Sequence, residues 1–115
     1  MKKAFYYAFR GIGNAIQSER NMKIHLFVMI LVVLAGIFFQ INFLEWMLCL
    51  MMFLLVIAGE MFNTAIETVV DMAMPEKNEL AKKAKDIAAG AVLVLALGSV
   101  IVGGIIFFPK VVSLF

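Results

Sequence analysis

The sequence predicts an all-α integral membrane protein: a single domain over 1–115, with an N-terminal amphipathic interfacial helix followed by three transmembrane helices. Three observations carry this. Hydrophobic residues make up 64% of the chain and charged residues only 16%, far from the balance of a soluble domain. The apolar residues gather into three runs, each close to or beyond the roughly 20 residues that cross a bilayer. The charges cluster between those runs. A net charge of +2 is too small to argue for nucleic acid as a partner. The single cysteine, Cys49, lies in an apolar run and reads as a small packed hydrophobe. No signal peptide is expected, because Arg10, Asn14 and the polar stretch 18–23 interrupt the apolar residues that follow Lys2 and Lys3.

Residues 2–20 read as the amphipathic helix. Phe5, Ala8, Phe9, Ile12 and Ile16 keep a three-four spacing, while Lys2, Lys3, Arg10, Asn14 and Gln17 fall mostly elsewhere. Such a basic, two-faced helix suits the membrane interface. The polar cluster 17–21 then makes a turn or helix junction. The first span is expected over 24–41, with His25 at its start as an interfacial residue. Asn42–Glu45 forms a tight connection, and Trp46 is placed for the interfacial aromatic belt. The second span covers 44–73. At 1.5 Å per residue it extends about 45 Å, so its last turns project from the lipid. Residues 74–79, MPEKNE, form a loop broken by Pro75. The third span runs over 80–108 and stops before Pro109. Its small residues, Ala84, Ala88, Ala91, Gly98, Gly103 and Gly104, suit close helix packing.

Orientation follows from the cations. Nine of the ten Lys and Arg residues precede the first span or lie in the 74–79 loop and the turns after it; only Lys110 falls on the other side. The N-terminus and the 74–79 loop are therefore expected in the cytoplasm.

The second span continues through GEMFNTAIETVVD, Gly59 to Asp71. There Glu60, Asn63, Glu67 and Asp71 recur at i, i+3, i+7 and i+11 on one face. Ionisable side chains at membrane depth are costly and point to function. The plainer alternative is the wet end of a long helix, which accommodates Glu67 and Asp71 more readily than Glu60 and Asn63. Glu19, the stripe and Lys85–Asp86 all belong to the cytoplasmic side. Carboxylates without His or Cys suit a hard cation such as Mg²⁺. A lysine beside phosphoryl oxygens and a deeper carboxylate that takes a proton from a hydroxyl are parts of phosphoryl transfer. No P-loop occurs. Glu60 is the deepest acid and the candidate base, and Asn63 is placed to donate a hydrogen bond that orients it.

These residues carry a resemblance. GEMFNTAIETVVD followed by ELAKKAKDIAAGAVL, with RGIGNAIQSERN ahead of the first span, resembles the small prokaryotic diacylglycerol kinase family over nearly the whole chain. The resemblance implies a homotrimeric membrane lipid kinase with active sites between subunits, in the bacterial cytoplasmic membrane. ATP is its co-substrate, Mg²⁺ its metal and a membrane lipid alcohol its acceptor. A short N-terminal arm favours the Gram-positive-type branch, which phosphorylates undecaprenol, over diacylglycerol. By the same match Glu60 is the catalytic base and Glu19 and Glu67 bind the metal held by ATP. Lys85 and Asp86 bind the nucleotide. Glu76, Lys77 and Asn78 match the loop beside it, the last two with side chains different from the family's. Tyr7 matches an aromatic near the adenine, while an arginine that the family carries ahead of it would precede Met1. Arg10, Asn14 and Asn63 match substrate-binding or supporting positions. The competing expectations are a small oligomeric proton-coupled transporter using Glu60, and a non-catalytic membrane scaffold.

Overall fold

The computed structural model describes residues 2–115 and consists of four helices, with no strand among the described residues. They are α1 (Lys2–Ser18), α2 (Arg20–Phe39), α3 (Phe43–Ala73) and α4 (Glu79–Val112). The last three are long and apolar enough to cross a membrane. At 1.5 Å per residue α2 alone is about 30 Å long, the thickness of the hydrocarbon core.

The joint between α1 and α2 is narrower than the polar cluster suggests. It is the single residue Glu19, whose backbone is extended (φ −104°, ψ 118°), and α2 begins at Arg20 rather than Ile24. Ser18 Oγ donates to the Asn14 carbonyl at 2.6 Å just before the break, a back-bond that bends helices.

The α2–α3 turn is held at both ends. Gln40 takes the left-handed conformation (φ 54°), its N–H donating to Ile37 O at 3.3 Å while Ile41 N–H donates to Gly36 O at 3.1 Å. This pairing closes a helix end on its own carbonyls. The next helix starts in a reciprocal cap: Asn42 Oδ1 accepts from Glu45 N–H at 2.8 Å and Glu45 Oε1 accepts from Asn42 N–H at 3.0 Å. Trp46 is half-buried and packs against Gly36 and the cluster of Ile41, Cys49 and Ile106.

α4 corrects the expected stop at Pro109, because it runs through that proline to Val112. A proline removes one helical N–H, here the donor to the 105 carbonyl. Near a helix end that loss is small, and other bonds hold the turn. Ser113 N–H donates to Pro109 O at 3.1 Å, and Lys110 Nζ reaches both Ile106 O at 3.2 Å and Glu45 Oε2 at 2.8 Å. α4 packs mainly on α3, while α2 touches α3 more sparsely. Most large apolar side chains of the three long helices remain exposed, as expected where lipid rather than protein covers them. Of the small-residue positions on α4, Ala88 is buried and Gly98 approaches Met52, while Gly103 and Gly104 face open space.

Candidate functional site

The polar stripe of α3 survives folding as one face. Glu60 is 1% exposed and Asn63 is 8% exposed, the only polar side chains buried among the described residues. Glu60 Oε2 and Asn63 Oδ1 are enclosed without a hydrogen-bond partner. Such acceptors cost free energy when left bare, so two on one face mark a place where donors are expected to arrive. Across from Glu60 stands His25 of α2, whose Nε2 lies 3.5 Å from Oε2.

Asn63 does not turn to Glu60. Its Nδ2 donates to Glu67 Oε1 at 3.0 Å. Helical side chains lean toward the N-terminus, so Glu67 reaches back over Asn63 one turn below it. Thr64 Oγ1 donates to the Glu60 carbonyl at 3.1 Å. Glu67 is half-buried and has one oxygen beyond the Asn63 bond. Glu19, at the α1–α2 joint, is half-buried and makes no capping bond, so its carboxylate is uncommitted. No three His, Cys, Asp or Glu side chains converge on a metal position among the described residues. A cation shared with phosphate oxygens needs only one or two protein carboxylates, and the hard oxygens of Glu19 and Glu67 fit that demand.

The loop residues form a hollow of about 580 Å³ whose lining includes Asp71, Glu76, Lys77, Asn78, Lys85 and Asp86. The structure thus brings five of the expected nucleotide-binding positions together, though Lys85 and Asp86 do not pair with each other. Lys85 Nζ bonds Asp71 Oδ1 at 2.9 Å across to α3, and Lys82 Nζ bonds Asp86 Oδ2 at 2.7 Å within α4. Asn78 has a structural task besides. It is the N-cap of α4, and its Oδ1 accepts from Leu80 N–H at 2.9 Å and Ala81 N–H at 3.1 Å. That oxygen is therefore unavailable to a ligand.

Tyr7, Arg10 and Asn14 lie on the exposed surface of α1 and do not line this hollow. Arg10 stands over the Tyr6 ring at 5.7 Å, and Tyr6 meets Tyr7 edge to face at 5.5 Å. A second cavity, about 300 Å³ and almost wholly apolar, lies between α2, α3 and α4, with His25, Met29, Val56, Ser99 and Phe107 among its walls. His25 thus belongs both to this cavity and to Glu60, a link that sequence spacing within one helix does not reveal.

The model of the family described as prokaryotic diacylglycerol kinase matches residues 6–107. An undecaprenol kinase of Bacillus subtilis is 40% identical over 108 residues, covering 94% of this chain and 88% of its own length. A diacylglycerol kinase of Synechocystis is 39% identical over 112 residues, 96% of this chain but only 64% of its own length. A diacylglycerol kinase of Haemophilus influenzae is 32% identical over 103 residues, 89% of this chain and 87% of its own. With three membrane-length helices and a family match over nearly its whole length, the chain belongs to the prokaryotic diacylglycerol kinase family and is a membrane lipid kinase.

Proposed function

We propose that the chain transfers the γ-phosphoryl group of ATP to the hydroxyl of undecaprenol, with magnesium, as a homotrimer in the bacterial cytoplasmic membrane. The observation that carries this is Glu60, a carboxylate 1% exposed with an unpartnered oxygen. It sits on the same helix as Asp71 of the charged loop hollow. Glu60 takes the hydroxyl proton as the lipid oxygen bonds to the γ-phosphorus and the bond to ADP breaks. Lys85 leaves Asp71 to meet phosphate oxygens, and Asp86 lies beside it in the hollow. Glu19 and Glu67 would hold the magnesium, which supplies neutralising charge at the phosphates when bound. α1 lies in the interface, where Phe5, Phe9, Ile12 and Ile16 reach the lipid, and the 74–79 loop faces the cytoplasm.

Undecaprenol is favoured by the Bacillus subtilis relative, which shares 40% identity and covers 94% of the chain. Diacylglycerol is the second reading, favoured by the Synechocystis relative at 39% over 96%. The test is phosphate transfer from labelled ATP in vesicles holding one lipid or the other. Undecaprenol is expected to turn over faster; equal or faster diacylglycerol turnover reverses the assignment. In the same assay Glu60→Gln is expected to lose about 10²-fold or more while ATP binding persists. A Glu60→Gln variant near the parent rate removes Glu60 as the base.

A further inference from the structure

Glu60 lies where two helices meet, and the group facing its enclosed oxygen comes from the other one. Oε2 has no hydrogen-bond partner, and His25 Nε2 stands 3.5 Å away. Of the donors nearby, Thr64 Oγ1 bonds the Glu60 carbonyl and Asn63 Nδ2 turns to Glu67. His25 also forms part of the wall of the apolar cavity between α2, α3 and α4. The hydroxyl of Ser99, on the same wall, already donates to the Ala96 carbonyl at 2.7 Å. Among the described residues this leaves the imidazole as the polar group of that wall free to meet Glu60.

We propose that His25 is a positioning residue for Glu60, standing between the base and the apolar cavity bounded by α2, α3 and α4. Its Nε2–H donates to Oε2, fixes the carboxylate and leaves Oε1 to face the acceptor hydroxyl. The gap of 3.5 Å is long for such a bond. Catalytic hydrogen bonds are often long without substrate and tighten when it binds. During transfer the hydroxyl proton passes to Oε1, the hydroxyl oxygen bonds to the γ-phosphorus, and ADP leaves with the electron pair of the broken P–O bond. His25 keeps its proton throughout. This rests on the reading of Glu60 as the base.

The experiment compares His25→Phe, which removes the donor and keeps a ring, with His25→Gln, which restores one, in vesicles containing the lipid alcohol and MgATP. His25→Phe is expected to lower kcat roughly 10- to 100-fold, the scale of a misplaced catalytic group, with the KM for ATP unchanged. His25→Gln recovers most of that loss. In a Glu60→Gln background, adding His25→Phe changes the rate by less than about twofold, because residues acting as a unit are not additive. Should His25→Phe fail to assemble in detergent, His25→Met removes the donor with a flexible chain instead. A donor-free variant with the parent kcat overturns the proposal, and so does an undiminished loss in the Glu60→Gln background. An active Glu60→Gln enzyme overturns the base itself. An inactive Glu60→Gln beside a fully active His25→Phe overturns the role of His25 alone.

Discussion

Glu67 has one oxygen in the Asn63 bond and another beyond it, while Glu19 has a carboxylate with no cap to make. The two differ in how firmly they are held, and the difference is testable. Glu19→Gln and Glu67→Gln each remove a charged oxygen and keep the shape, so both are expected to raise the magnesium concentration needed for half-maximal rate. Glu67→Gln also loses the anionic acceptor for Asn63 Nδ2 and is expected to show the larger loss at saturating metal. Titrating the rate with Mg²⁺ checks both, and an unchanged requirement in both variants removes them from the metal. At this scale the sequence is legible within a helix and illegible between helices. The recurrence of Glu60, Asn63 and Glu67 marks one face because helical periodicity places them there. The Asn63–Glu67 bond is a pair four residues apart and follows that periodicity, whereas nothing in spacing says that His25 of α2 reaches Glu60. The capping role of Asn78 did carry a signal, since an asparagine just before a helix start is a cap preference.

The elements were legible to the extent that each is local. The three apolar runs give three long helices because length and hydropathy are enough to specify them. The end of α4 moved for a tertiary reason: it passes Pro109, where Lys110 ties that turn to Glu45 on α3. A close inter-helix approach against a rigid ring involves Gly36 of α2. A Cβ on Gly36 would stand 2.6 Å from Trp46 Cη2 and 2.9 Å from its Cζ2, both atoms of a rigid ring. Gly36→Ala is therefore expected to push α2 away from α3 and cost about 1–3 kcal/mol, as overpacking does. Unfolding in mixed detergent would measure it. Gly59→Ala makes a useful contrast, because its Cβ would meet only the end of the flexible Leu95 side chain at 2.5 Å.

The whole chain exposes 8872 Å², against about 6,300 Å² expected for a soluble monomer of this mass. Its radius of gyration is 17.2 Å and its extents are 55 × 38 × 20 Å, a slab rather than a sphere of roughly 13 Å for 100 residues. Lipid covers part of that excess, and the open face at Gly104 leaves room for another copy. The expected assembly is a trimer, and native mass measurement should find three copies of the 12.8 kDa subunit. A fully active monomer overturns this. The slab is also unevenly fastened along its long axis. Where Gln40–Asn42 turns and Lys110 meets Glu45, the self-closed turn, the reciprocal cap and the ion pair are crowded together. At the other end residues 71–80 are exposed throughout, and the ion pairs there lie at the surface. The subunit is thus built like tongs, riveted at one end and latched at the tips by the surface ion pair of Lys85 and Asp71. Spreading the tips around a guest leaves the rivet untouched, and amide exchange should register this as slow protons by Glu45 and fast ones by Asn78.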